Sequence, residues 1–281
     1  MKVKYSLIVM VVLFAAGLLF AVSSEAVIEP ENIAGMWLFD EDGGDIADDS
    51  SGNGNDGELM NGPEWVNGKF GEGLMFNGAN AYVNCGNGPS LDITEEITIT
   101  AWVNFDSLDY QNSGGNLFSI GAKGYPDALT PHAGWWFSHD NRANGQSFNY
   151  TCFGNKAGGW AGGGNNFGTH SFQFTNGDWY HLALTVGESI AKLYIDGTQL
   201  PPDKTFSSLV LSDTSANLSI GSAGPNGWYF SGIIDEFAIF NVELGERDIQ
   251  TIMNDGLERA VLVAVEPAGK LTRTWAGIKV R

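Results

Sequence analysis

WYHLALTVGESIAKLYIDG, residues 179–197, holds two alternating runs on either side of a GES turn. Asp196-Gly197 then opens a second tight turn. Alternation at period 2 around a short Gly-containing connection is the pattern of a β-hairpin. The stretch ITITAWVNF, residues 97–105, repeats it: Ile97, Ile99, Ala101 and Val103 fall on one face, Thr98, Thr100, Trp102 and Asn104 on the other. Shorter apolar pieces lie between Gly and Asn turns: MWLF (36–39), GLMFNG (73–78), AYVNC (81–85), NLFSIG (116–121), GWWFSH (134–139), NLSIGS (217–222) and GIIDEFAIF (232–240). Helical periodicity appears late, in NVELGERDIQTIMNDG (241–256). There Leu244, Ile249, Ile252 and Met253 share a face and Gly256 stops the run. About a dozen strands and one late helix predict an all-β, two-sheet antiparallel sandwich and argue against a parallel α/β sheet.

Composition agrees. The chain has 38 Gly among 281 residues and 12% aromatics, which suits many short strands around a sizeable core. A disordered chain has fewer aromatics. A basic start, Met1 to Tyr5, is followed by an uncharged apolar run, residues 6–22, and the small-residue exit SEA. This predicts a secretory signal peptide over residues 1–26 with cleavage before Val27. The alternative is a retained anchor, because the run approaches spanning length. The folded domain is expected over 27–257. Residues 258–281, rich in Lys and Arg, read as an appended tail. The formal charge of −19 disfavours nucleic acid and anionic lipid as partners. Cys85 and Cys152 can be a pair in an oxidising compartment or two buried thiols.

The order of MWLFDEDGGDIADDSSGNGNDGEL, FGEGLMFNGANAYVNCGN, PSLDITEEITITAWVNF, GDWYHLALTV, AKLYIDGTQL and FSGIIDEFAIFNVEL resembles the laminin-G-like jelly-roll family, of the concanavalin A-like lectin and glucanase fold. That resemblance implies a jelly-roll sandwich over residues 35–255. It implies less about function, since the fold hosts lectins, adhesion modules and hydrolases.

The loop DDSSGNGNDGEL, residues 48–59, is the densest set of Asp, Asn, Ser and Gly. It has no Lys and no following helix, so it is not a phosphate-binding P-loop. Asp49, Ser51, Asn53 and Gly54 fit the first positions of an EF-hand, but Met60 stands where the closing Glu belongs. Oxygen donors on alternate residues still suit calcium, given a carboxylate from elsewhere. The resemblance implies Asp49, Asn53, Asn55 and Asp235 as ligands of a structural calcium ion, with Asp48 and Asp40 weaker candidates. The alternative is that these residues cap turns and Asp235 accepts backbone N–H bonds.

The glucanases of this fold carry three alternating acids on one strand, and no such motif occurs here. His132, His139, His170 and His181 show no metal-ligand spacing, and His181 reads as a core residue. Residues 134–174 are crowded with aromatics, including Trp135, Trp136 and Trp160. A ring under a sugar, with amides and charges gripping its hydroxyls, is the chemistry of a lectin site. Trp160 on its Gly-rich loop, with Asn165, Asn166, Asp140 and Arg142, is the expected ligand-binding group. Half of the aromatic set must be core in any case. The expectation is a secreted, non-catalytic module that binds carbohydrate or glycoprotein. An adhesive surface protein and a glucanase-type hydrolase are the alternatives.

Overall fold

Strands with one apolar face must bury it, and two such sheets bury theirs against each other. The computed structural model describes residues 28–107, 117–124, 134–140, 152–154, 172, 174–205, 215–224 and 227–264. The strands in chain order are β1 (Ile33–Trp37), β2 (Ile46–Ala47), β3 (Gly57–Met60), β4 (Glu64–Asn67), β5 (Glu72–Asn77), β6 (Tyr82–Asn84), β7 (Ile97–Phe105) and β8 (Leu117–Lys123). Then follow β9 (Gly134–Asp140), β10 (Cys152–Gly154), β11 (Trp179–Val186), β12 (Ile190–Ile195), β13 (Thr198–Thr205), β14 (Leu218–Ile220) and β15 (Ser231–Phe240). Helices α1 (Glu246–Asp255) and α2 (Leu257–Ala264) close the described chain. None of the described helices is long and apolar enough to cross a membrane.

The strands form two antiparallel sheets. Sheet A runs β13-β12-β11-β7-β15-β5-β4, with β1 also on β15; sheet B runs β10-β9-β8-β14-β6-β3-β2. The expected hairpin is β11–β12, in register from Leu182 opposite Ile195 to Val186 opposite Ala191. Between the sheets lies the main core, where Trp37, Phe76, Phe105, Phe137, Leu184 and Phe237 are all buried.

Strand β15 is the axis of sheet A. One edge pairs with β7 along its length. The other edge is shared: Ser231 to Ile234 pair with β5, and Phe237 to Phe240 pair with β1. At the handover the register against β7 slips between Asp235 and Ala238, and Glu236 takes a φ of 51°. Such a bulge bends the strand and re-aims its side chains.

The outer face of sheet A is not open, although β7 alternates like a half-exposed strand. Thr98, Thr100 and Trp102 are buried there. A second core covers this face: Ala183, Tyr194, Ala238 and Phe240 pack with Ile249 and Ile252 of α1 and Leu257 and Val261 of α2. The domain therefore extends past the expected boundary at 257. Part of the expected tail is a helix whose apolar residues are core. Helix α1 itself matches the expected one, with Ile249 and Ile252 buried and Gly256 at its end.

Cys85 is free and buried just after β6. Cys152 lies on β10, four strands away in the order of sheet B. Four strand spacings are about 19 Å, well beyond disulfide reach.

Replacing the fully buried Leu257 with Ala should cost about 2–5 kcal/mol of stability in a denaturant melt. A loss below about 0.5 kcal/mol would mean that α2 is not part of the domain.

Candidate functional site

The opening loop ties itself to the free edge of β1. Asp49 Oδ1 accepts N–H bonds from Met36 (3.0 Å) and Ser51 (3.0 Å). Its Oδ2 accepts from the Asn55 backbone (2.9 Å) and the Asn55 side-chain amide (2.8 Å). Asn53 Nδ2 donates to the carbonyls of Ile33 (2.8 Å) and Ala34 (3.2 Å), and the Ser50 N–H donates to the Met36 carbonyl (2.7 Å). Trp37 Nε1 donates to the Asn55 carbonyl at 3.1 Å. An unpaired strand edge is a template for unwanted pairing, and here the loop occupies it.

Asp235 makes its contacts elsewhere. Its Oδ2 accepts the backbone N–H groups of Lys69 (2.7 Å) and Phe70 (2.9 Å). It thereby holds the 68–71 turn, between β4 and β5, down on the outer face of sheet A. Phe70 meets the edge of Trp102 with ring centroids 6.3 Å apart, and Lys69 Nζ lies 4.1 Å from the centre of the Trp102 ring. Gly71 sits at φ 68°, and a Cβ there would strike the Asp40 carboxylate, so the turn needs glycine. Glu236 accepts the Leu257 N–H and so caps the start of α2 from a neighbouring strand.

The expected calcium ligands thus divide into two groups. Asp49 and Asn55 are bonded to each other and to β1. The described hydrogen bonds of Asp235 run to the 68–71 turn and not to the opening loop. Both Asp49 oxygens are already filled by N–H donors. Among the described residues no group of three or more His, Cys, Asp or Glu side chains is arranged to hold a metal. This donor set makes a hydrogen-bonded staple without an ion, while Asn55 Oδ1 and Asp235 Oδ1 are buried with no hydrogen-bond partner.

Burial pushes the Asp235 carboxyl up to about 7, against its backbone hydrogen bonds and helped by the nearby Asp40 charge. Burial also pushes Glu236 up to about 8. His181 is fully buried against Trp102, with ring centroids 5.3 Å apart, and burial lowers it to about 3. Neither of its ring nitrogens has a hydrogen-bond partner. It is a core residue, as the sequence suggested.

The outer face of sheet B is different. Val83 and Leu59 turn to the core, so Tyr82, Asn84, Glu58 and Met60 turn outward. Met60 stands opposite Tyr82, and Glu58 opposite Asn84. Asn84 also pairs with Ser219, Ser219 with Ala122, and Ala122 with Trp136. Over this face comes the loop after β14. Trp228 packs on Ala122 and Ala223, and Tyr229 lies 6.5 Å from Tyr82 between ring centroids. Asn217 Nδ2 donates to Asn84 Oδ1 at 3.0 Å. Trp228, Tyr229, Asn84 and Met60 are half-buried, while Glu58 and Asn217 are exposed. Trp228 holds a φ of 54°. A bulky side chain at positive φ is a strained conformation of the kind that gathers at functional sites.

Most of the expected ligand-binding group cannot be set against this face. Trp160, Asn165, Asn166 and Arg142 lie outside the described residues. Asp140 ends β9 opposite Leu117, which puts it in sheet B, but its side chain is not among those described. Sequence reading passed over Tyr82, Trp228 and Tyr229. The available signal was the WYF triplet after GPNG, 224–227, where aromatics follow a turn.

A family model described as "Concanavalin A-like lectin/glucanases superfamily", of the laminin-G type, matches residues 77–250, more than half of the chain. The chain belongs to this superfamily. The opening loop and β1 precede the matched span. Solved structures share the superfamily sandwich at low identity. Domain 4 of a GH43 extracellular arabinanase from Geobacillus stearothermophilus, in complex with arabinotriose, aligns with a TM-score of 0.58 and 19% identity over 79% of this chain and 98% of that one. The binding domain of Paraclostridial Mosquitocidal Protein 1 aligns at 0.59 and 18% over 80% of this chain and 52% of that one. A Trypanosoma rangeli sialidase complex aligns at 0.54 and 18%, over 79% of this chain but 33% of that one. No curated protein matches the chain in sequence.

Two measurements check the site. Asp49→Ala orphans several N–H groups and should cost about 3 kcal/mol, whereas calcium against chelator should leave the wild-type melting point unchanged. A calcium-dependent rise of several degrees, lost in Asp49→Ala, would restore the metal reading.

The second is pH dependence. Between about pH 4.5 and their own values near 7 and 8, Asp235 and Glu236 keep protons in the fold that the unfolded chain has lost. Stability should therefore fall as pH rises through that window. His181 acts oppositely, favouring the unfolded chain as pH falls below its ordinary 6.5. Thermal melts should thus decline from about pH 5 to pH 8, and less steeply in Asp235→Asn. An identical slope in both proteins would refute the assignment.

Proposed function

We propose that this protein is a secreted, non-catalytic recognition module that binds glycans, free or carried on protein, on the outer face of sheet B. The observation that carries the reading is the composition and exposure of that face. Two half-exposed aromatic rings, Trp228 and Tyr229, border a shelf bearing the Asn84 amide and the Glu58 carboxylate. Sugar rings stack their C–H faces on aromatics and bond their hydroxyls to amides and carboxylates. The arabinotriose complex of the arabinanase domain supports it, since that domain shares the fold over almost its full length.

Non-catalysis is supported by where the acids sit. Glycoside hydrolysis needs two carboxyls flanking one bond, roughly 5–9.5 Å apart. Glu58 is the one carboxylate among the described outward residues of β3, β6 and β14. Asp235 and Glu236 are buried beneath the 68–71 turn and α2, each with one oxygen engaged by backbone amides. Secretion is supported by the apolar run at residues 6–22 and its small-residue exit.

Affinity electrophoresis on a panel of soluble polysaccharides should retard the protein on at least one. Tyr229→Ala should weaken that binding about tenfold or more. Lys69→Ala, on the outer face of sheet A, should leave it unchanged. Retardation by none of the panel, or equal binding by Tyr229→Ala, would overturn the assignment.

A further inference from the structure

We infer that the outer face of sheet B selects uncharged glycans and rejects those carrying carboxylate or sulfate groups. The inference rests on the glycan-binding reading and adds the class of ligand.

Proteins grip anionic groups with Arg and Lys, whose charge-assisted bonds replace the ligand's hydration. The described outward positions of β3, β6 and β14 are Glu58, Met60, Tyr82, Asn84 and Ser219. None is basic. Lys123 belongs to sheet B but faces the other way. It stands opposite Trp135, a core residue, and its Nζ sits 3.2 Å from Asp92 Oδ1 with the side chain 2% exposed. It is buried in its own ion pair and cannot reach a ligand on the outer face.

The charge among the described residues of this face has the wrong sign for an anion. Glu58 is exposed in the middle of the shelf, opposite Asn84. Exposed Asp56 precedes β3, and exposed Asp45 precedes β2, the strand beside β3. At physiological salt, charges beyond about 8 Å are largely screened. Local carboxylates therefore decide more than the total of −19. An acidic sugar seated on Trp228 and Tyr229 would meet Glu58, and no basic side chain stands among the described outward residues of β3, β6 and β14 to offset it. A neutral sugar would offer Glu58 hydroxyl donors, which a carboxylate accepts well. The Tyr82 hydroxyl stays protonated on this face, since burial and the Glu58 charge both raise it, so it remains a donor for a sugar oxygen.

The test uses pairs of glycans that differ only in charge, measured on the full chain by titration calorimetry. The pairs are lactose with 3′-sialyllactose and methyl-esterified with free trigalacturonic acid; arabinotriose is added as a neutral reference. In every pair whose neutral member binds, the acidic member should bind at least about tenfold more weakly at physiological salt. Glu58 is exposed, so Glu58→Gln and Glu58→Lys should fold normally, which a thermal melt verifies. Glu58→Gln should narrow the ratio and Glu58→Lys should reverse it. An acidic member that binds wild type as well as its neutral partner would overturn the inference while leaving glycan binding intact. So would a ratio indifferent to Glu58→Lys. Binding of no member, with folding verified, would remove the glycan reading itself.

Discussion

Everything in this sandwich leans on one strand that must be paired on both edges along its whole length. Strand β15 has ten residues, and no single short neighbour can cover its second edge. The chain uses two, β5 and then β1, from well-separated parts of the sequence. The seam between them falls at Asp235 and Glu236. Backbone at a seam is exposed to loss of pairing, and buried polar groups left unpaired are costly. The two carboxyls turn that liability into structure. One holds the 68–71 turn, the other caps α2. Their raised affinity for protons is the cost of placing acids there.

The same arrangement decides which surface is left for a ligand. Sheet A is closed on its outer side by α1, α2, the N-terminal segment and the Phe70 turn. Sheet B has no helix over it among the described residues. Tyr82 and Ser219 on it are buried, while Glu58, Met60 and Asn84 keep exposure beside Trp228 and Tyr229. The proposed recognition on one face and the structural closure of the other make a division of labour that follows from where the late helices pack.

The fold was legible because alternation is a local signal. Ile97 to Phe105 and Trp179 to Ile195 each announce strands without reference to the rest of the chain. What alternation does not report is whether the second face is wet. Thr98, Thr100 and Trp102 read as the exposed side of β7, yet they are buried, because the late helices cover this face and the 68–71 turn lies over Trp102. The opening loop was read correctly as a cluster of oxygen donors and turn formers. Composition alone could not distinguish oxygens facing a cation from oxygens facing N–H groups, and Asp49 does the latter. Asp235 was rightly singled out as a carboxylate among apolar neighbours that needs partners. Its partners are backbone amides of a turn that carried no obvious signal. Trp228 and Tyr229 are neighbours in sequence, but Tyr82 joins them only through a loop crossing over sheet B, which no local pattern reports.

One further consequence follows from the second core. Ile28 and Val261, near the two ends of the described chain, belong to the same apolar cluster. Entry and exit therefore lie on one side of the domain, beside the closed face and away from sheet B. A unit with neighbouring ends can be spliced into a loop of another protein, or strung between partners, without forcing them apart. It would then hang outward like a pendant, with sheet B on the side away from its attachment.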